Sequence, residues 1–516
     1  MAVTPFVNEP LTDFEREENR RRMEEALAAV RAQLGRHWPL RIGGKAVETP
    51  ERIRSLNPSH PDQTVGWVAK ARRAEIDEAV EAAWRAYAHW KTVPAFARAR
   101  YLYKAAAIMR RRRWELAAWQ VFEAGKPWSE ADADVAEAID FLEYYGRQME
   151  RLAAPVPVHP VPGEDDQAFY IPLGVGAIIP PWNFPLAILT GMTASAVVAG
   201  NTVVLKPSSD TPVMAAQFCA VMEAAGLPAG VINLVPGEGG EVGDYLVGHP
   251  RIRFISFTGS REVGVRIHRV AAEVGPGQRW IKRVIAEMGG KDAIIVDETA
   301  DLAAAVEGIA VSAFGFQGQK CSACSRAIVL DAVHDTVLEA LRQRVQALKV
   351  GPAEVYEHHL GPLINERAEA KVLDYIAWGK AHATLVAGGA KVEGPGYFVQ
   401  PTIFADVKPG SKLEQEEIFG PVLSVIRARD WEEALAIAND TEYGLTGAVY
   451  TERRDRIEDA RERFEVGNLY INRKCTGALV GVHPFGGFNL SGTNSKTGSP
   501  DYLLLLMQMK SVAERL

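Results

Sequence analysis

From Gly174 onward the chain alternates short apolar runs with stretches of helical character, and few architectures accommodate that alternation. Strands are expected at 175–179, 202–205, 231–235 and 252–257, and helices at 186–199, 211–225, 241–247 and 262–273. Short crossovers between such strands require a parallel, doubly wound α/β sheet. Ligands of these sheets sit beyond the carboxyl ends of the strands. Each run here ends in suitable turn chemistry: Pro-Trp-Asn, Lys-Pro-Ser-Ser, Pro-Gly-Glu-Gly-Gly and Thr-Gly-Ser. A second α/β run starts at Ile285, with strands expected at 293–296, 327–330, 424–427, 447–450 and 468–471 and helices at 302–314 and 333–348.

The segment 167–205 carries no charged side chain, longer than a membrane span needs. Pro172, Pro180, Pro181 and Pro185 interrupt it, so a buried strand-turn-helix is the expectation and no membrane contact is implied. The N-terminal part reads as helical: one helix with Met23, Leu27, Val30 and Leu34 on one face and a Thr12/Glu15 capping box, then helices over 73–90, 97–118 and 129–152. The basic run 110–113 reads as a solvated helix face. Residues 153–171 alternate Pro and Val without helical period and suggest an exposed hairpin arm. An apolar stretch at 503–507 suggests a tail paired with something larger.

At 516 residues the chain is long enough for about three domains. With 58 basic and 65 acidic side chains the net charge is −7, against a nucleic-acid binder. Four cysteines cannot form a disulfide framework, and no signal-peptide apolar region is evident, so a cytoplasmic setting is expected.

Several residues have the character of a reaction site. Phe257-Thr258-Gly259-Ser260 ends a strand and opens a helix, offering N–H groups and a hydroxyl to a pyrophosphate, or simply capping the helix. Lys206, at another strand end, is placed to reach a ribose hydroxyl or to be a surface lysine. Cys321 follows Lys320, whose charge would favour a nucleophilic thiolate; the alternative is an inert buried cysteine. Cys321 and Cys324 form a CxxC, open to a disulfide under oxidation, but no His cluster or second CxxC supports a metal site. Glu287, before Gly289-Gly290 at the start of the second α/β run, suits a base with raised pKa or a salt-bridge partner. Asn183, in a charge-free turn, suits an oxyanion donor or a plain turn residue.

Taken together, Pro181-Trp182-Asn183-Phe184-Pro185, Phe257-Thr258-Gly259-Ser260, Glu287-Met288-Gly289-Gly290-Lys291, Gly318-Gln319-Lys320-Cys321, Glu417-Ile418-Phe419-Gly420-Pro421 and Pro484-Phe485-Gly486-Gly487 resemble the NAD(P)-dependent aldehyde dehydrogenase superfamily. They occur in that family's order, with Glu287 and Cys321 spaced 34 positions apart. The resemblance implies a Rossmann-like coenzyme domain at 1–152 and 172–285, a catalytic domain at 286–487, and an oligomerisation arm and tail at 153–171 and 488–516. It implies Cys321 as nucleophile, Glu287 as base and Asn183 as oxyanion donor. Pro181, Trp182, Lys206, Ser209, Gly259, Ser260, Gly264, Glu417 and Phe419 would contact the coenzyme. Ser209 stands where NAD-preferring relatives carry Glu, so NAD with NADP tolerated is expected.

Within the superfamily the N-terminal helix, Ala133-Asp134-Val135-Ala136-Glu137 and Cys475-Thr476-Gly477-Ala478-Leu479-Val480-Gly481 are most similar to the branch acting on Δ1-pyrroline-5-carboxylate as glutamate-γ-semialdehyde. That likeness implies Ser322, Gly477 and Ala478 on the substrate carboxylate, Glu137 near its amino group, and Phe184 and Phe485 along the alkyl chain. His483 departs from a usual Gln. A small-molecule substrate, a homo-oligomer built of dimers and a form without the fused proline-oxidising activity follow by resemblance. Succinate- or aminoadipate-type semialdehydes are the alternative substrates. A nitrilase-like Glu–Lys–Cys hydrolase and a non-catalytic dinucleotide-binding protein are the alternative classes.

Overall fold

In the computed structural model, which describes residues 5–516, two seven-stranded sheets dominate. The first contains, in spatial order, Arg283–Glu287, Phe254–Thr258, Val175–Ile179, Thr202–Leu205, Ile232–Leu234, Leu40–Ile42 and Lys45–Val47. Its first five strands run parallel, and the last two add antiparallel to the edge. Chain order reverses between Val175–Ile179 and Phe254–Thr258, which makes their carboxyl ends a topological switch point. The second sheet is ordered Thr384–Ala387, Thr402–Ala405, Val422–Ala428, Cys324–Leu330, Asp292–Val296, Thr446–Tyr450 and Asn468–Ile471, parallel except at its first strand. Central strands such as Thr202–Leu205 and Asp292–Val296 are buried at every residue, as helices on both faces demand.

The charge-free segment finds its explanation here. Helix Ala187–Val198 is buried almost all round, with Gly191 against the Phe141 ring of helix Trp128–Leu152. No water-facing side exists for a charge to occupy. Among the described residues no helix is long and apolar enough to cross a membrane.

Local readings were overridden in several places. Thr12 does not cap a helix: its N–H and Oγ1 donate to the buried Asp132 carboxylate at 2.8 and 2.7 Å, and the helix begins at Glu17. The stretch 97–118 is two helices, Ala95–Arg111 and Arg113–Ala124, broken at Arg112. The run 110–113 is not a free basic face. Arg110 pairs with Glu9 and Glu143, Arg112 with Glu115, and Arg113 with Asp132, fastening the N-terminal segment to the helices. Strands between Arg36 and Ala69, including the three-stranded sheet of Arg36–Trp38, His60–Ala69 and Arg52–Asn57, had no clear apolar alternation to announce them.

The arm is not a self-contained hairpin. Residues 153–171 fold back on themselves only at the Val156–Ala168 bridge. Strand Glu164–Pro172 instead pairs antiparallel with the C-terminal strand Met507–Arg515 over nine residue pairs. The apolar stretch 503–507 is itself buried in the core beside helices Trp128–Leu152 and Ala187–Val198, and the strand Met507–Arg515 carries the chain on to the arm.

Candidate active site

The carboxyl edge of the first sheet faces the amino edge of the second across a cleft of about 1280 Å³. From the first come Pro181, Trp182 and Asn183 after Val175–Ile179, Lys206 and Ser209 after Thr202–Leu205, and Gly259 and Ser260 after Phe254–Thr258. From the second come Cys321, just before Cys324–Leu330, and Glu417 and Phe419, just before Val422–Ala428. Glu287 ends Arg283–Glu287, the last strand of the first sheet, rather than opening the second run. Residues 288–291 then carry the chain across to the second sheet.

The first-sheet side of the cleft has the donors a dinucleotide requires. Ser260 caps helix Arg261–Ala272, its Oγ accepting from the Val263 N–H at 3.4 Å, and the helix N-terminus opens into the cleft. Gly239, Gly240 and Gly243 line it with open space where a Cβ would stand. Lys206 is buried, which pushes its ammonium down to about 8 and leaves it a strong donor with few competing waters. Across the cleft, Glu417 accepts from the Gly290 N–H at 3.2 Å, and a Cβ on Gly289 would meet its carboxylate at 2.3 Å. That close approach is what the Gly pair permits. Trp182 stands edge-on to Phe419, ring centroids 5.6 Å apart. Gly264 lies behind the wall: a Cβ there would strike Met288 Sδ at 2.4 Å, so its role is helix-to-strand packing.

The loop before Cys321 is strained and heavily tied. Phe316 and Gln317 both adopt positive φ (48° and 56°), a region non-glycine residues avoid. Gln317 Nε2 donates to Gly125 O at 3.1 Å and Pro362 O at 2.9 Å, and Phe316 is fully buried. Asn183 Nδ2 donates to Gln319 O at 2.9 Å, bringing its amide to the Cys321 loop. Lys320 does not assist the thiol: its ammonium pairs with Glu130 at 2.7 Å. Burial and the carboxylates of Asp292, Glu417 and Glu287 hold the Cys321 thiol above its ordinary range. The Glu–Lys–Cys arrangement of a nitrilase is therefore not assembled. Cys324 Sγ donates to Arg326 O at 3.4 Å, and all four cysteines are free thiols. Glu287 Oε1 accepts from Ser495 Oγ at 2.5 Å, and burial pushes its carboxyl up to about 7.

Beyond Cys321, Ser322 is buried, with its carbonyl receiving Thr446 Oγ1 and Cys475 Sγ, both at 3.5 Å. Gly477 turns with φ +74°, and neither its N–H nor that of Ala478 is hydrogen-bonded among the described residues. Glu137 has no hydrogen-bond partner among them, and burial with Asp134 nearby raises it to about 8. The Phe184 ring lies 4.0 Å from Lys126 Nζ, and Phe485 bridges Thr497.

The aldehyde dehydrogenase family profile matches residues 46–512. The chain belongs to the aldehyde dehydrogenase family. It is 56% identical over 512 residues to 1-pyrroline-5-carboxylate dehydrogenase of Geobacillus sp. (strain WCH70), covering 99% of both chains. To the enzyme of that name from Bacillus cereus (strain B4264) it is 55% identical over 514 residues, covering both completely. A crystal structure of 1-pyrroline-5-carboxylate dehydrogenase from Thermus with bound NAD superposes with a TM-score of 0.99 at 57% identity over both full chains.

Sequence reasoning missed four supports of this aldehyde dehydrogenase site. Lys126, fully buried, donates to Asp134 Oδ2 at 2.9 Å and to Asn183 O at 2.8 Å, fixing the turn that carries the amide. Glu130 holds Lys320, Ser495 holds Glu287, and Asp292 accepts from the Thr446 N–H at 2.7 Å near Cys321. Lys126 had one signal: a lone cation between Gly125 and Pro127, linking two largely buried helices. The other three carried none, because their partners are remote in sequence.

Proposed function

We propose that this chain oxidises L-glutamate-γ-semialdehyde, the open form of Δ1-pyrroline-5-carboxylate, to L-glutamate with NAD, tolerating NADP. The observation that carries the chemistry is Cys321 and Asn183 standing together in the wall of the cleft, where Lys206 and Glu417 also open. The full-length identity to relatives named for that substrate supports the substrate. NAD, when bound, supplies the hydride acceptor; Lys206, Glu417 and the Gly259-Ser260 turn would hold it, between residues 1–152 with 172–285 and the catalytic segment 286–487.

Cys321 Sγ attacks the aldehyde carbon, and its proton passes to water as the C–S bond forms. Asn183 Nδ2 and the Cys321 N–H stabilise the oxygen anion of the thiohemiacetal. After hydride loss the thioester remains on Cys321. Glu287, near neutrality in basicity, takes a proton from water as it attacks that thioester, releasing glutamate and the thiol. Free N–H groups of Gly477 and Ala478 with the Ser322 hydroxyl suit a carboxylate, and unpaired Glu137 suits an ammonium. Phe184 and Phe485 flank the alkyl chain.

The ribbon of Glu164–Pro172 and Met507–Arg515 is too small to be stable alone and is mostly exposed along its tail strand. That supports an oligomer of dimers in which it caps a neighbour's sheet edge. Four free thiols support a reducing, cytoplasmic setting.

In Glu287→Gln enzyme, the substrate and NAD together should leave an acyl adduct that intact-mass and peptide mapping place on Cys321. No adduct, or one on another cysteine, would contradict the mechanism.

A further inference from the structure

His483 sits at the hinge of the 476–479 turn. The Leu479 N–H donates to its Nδ1 at 3.1 Å. Its Nε2 lies 3.3 Å from Arg473 Nη1. The same guanidinium donates to the turn itself, at Thr476 O (3.1 Å) and Gly477 O (3.2 Å), and lies 4.3 Å over the Tyr470 ring. Tyr470, from strand Asn468–Ile471, meets the imidazole edge-on at 5.8 Å. The turn is thus gripped from one side by Arg473 at its carbonyls and from the other by His483 at the N–H that follows Ala478.

The chemistry of this pair depends on the proton count of the ring. Two donors face it, the Leu479 N–H and the Arg473 guanidinium. A neutral imidazole has one acceptor nitrogen, whichever tautomer it adopts, and can satisfy one of them. An imidazolium has none and sets a cation against Arg473. No carboxylate is bonded to the ring; the other titratable group in contact is the Tyr470 phenol, pushed up to about 12 and so neutral throughout.

We infer that neutral His483 is a positioning residue for the substrate carboxylate: it holds the Gly477–Ala478 N–H groups in place through Leu479, and protonation releases that turn and weakens binding of carboxylate-bearing substrate. The inference rests on the reading of Gly477 and Ala478 as the carboxylate anchor. Burial and Arg473 both hold the ring's pKa below its ordinary 6.5, so the turn stays closed at neutral pH. Acidification below that range opens it.

The test compares wild type, His483→Ala, His483→Asn and Ser322→Ala, with Δ1-pyrroline-5-carboxylate and propanal as substrates between pH 5.5 and 8. The Asn amide oxygen takes the place of Nδ1 and carries no charge. At pH 8, His483→Ala should raise KM for the carboxylate substrate roughly three- to tenfold, the worth of one hydrogen bond, leaving kcat and all propanal constants unchanged. His483→Asn should restore KM, and the ratio of wild-type to His483→Asn KM should rise as pH falls. Comparing the two at each pH cancels changes in the substrate and the titration of Glu137 and Glu287, whose carboxyls are raised to about 8 and about 7. If Ser322→Ala raises KM but His483→Ala does not, the anchor reading stands and this inference fails. When neither raises it, both fail. Equal losses with propanal, or a wild-type to His483→Asn KM ratio that stays constant across the pH range, would also overturn the role given to His483.

Discussion

Cys321 shows why a neighbour in sequence is a poor guide to a neighbour in space. Lys320 precedes it directly, yet the lysine is claimed by Glu130 and the thiol faces three carboxylates instead. In the proposed mechanism the base for hydrolysis is Glu287, which burial holds near neutrality. Because its carboxyl is raised to about 7, it is protonated and inactive as a base below that pH and ionised above it. Steady-state kcat should accordingly rise with pH through about 7 when deacylation limits turnover. In Glu287→Gln, NADH formation should stop after one equivalent per site at any pH; sustained turnover in that variant would exclude Glu287 as the base. Coenzyme choice is argued at the same scale. Ser209 Oγ lies 3.4 Å from Gly237 O and offers no charge against a 2′-phosphate. The kcat/KM ratio of NAD to NADP should stay under about a thousandfold, and Ser209→Glu should widen it by at least about tenfold through like-charge repulsion. Equal ratios in the two proteins would show that another group sets the preference.

Elements were legible where their signal is local. Strands Val175–Ile179, Thr202–Leu205 and Asn468–Ile471 and helix Leu302–Phe314 follow from apolar runs bounded by turn residues, and they fall where those runs do. The break at Arg112, the strands of 36–69 and the pairing of arm with tail arise from contacts distant along the chain, which no periodicity reports. The site divides the same way. Motif residues such as Asn183, Gly259 and Glu417 stand at element ends and were readable, whereas Lys126 and Ser495 act through partners more than fifty positions away. The Lys126–Asp134 pair joins two elements wholly out of water. Lys126→Met leaves a buried carboxylate uncompensated and should cost about 3–5 kcal/mol in urea unfolding. A loss within ~0.5 kcal/mol would mean that the packing of Phe184 and Phe316, not the ion pair, holds the turn.

At the scale of the molecule, the two sheets are set edge to edge so that the carboxyl ends of one and the amino ends of the other share a cleft. Lys206, Gly259 and Ser260 come from the first and Cys321 from the second. Strand Arg283–Glu287 and the turn after it connect them covalently, which places Glu287 at the seam. The ribbon is fastened to the body at its base, where Arg283 and Arg253 donate to Met507 O and Gln508 Oε1, and is exposed along the rest of its tail strand. Ending the chain after Leu506 removes one of its two strands, and light scattering should then report a smaller assembly than the full chain forms. An unchanged mass would place the interface elsewhere. The central claim is that this fold oxidises glutamate-γ-semialdehyde through Cys321. NADH production should be measured with Δ1-pyrroline-5-carboxylate beside succinate semialdehyde and propanal, with Cys321→Ala as control. The account predicts the highest kcat/KM for the first and none for the variant. Equal or better turnover of another aldehyde, or activity surviving in Cys321→Ala, would contradict it.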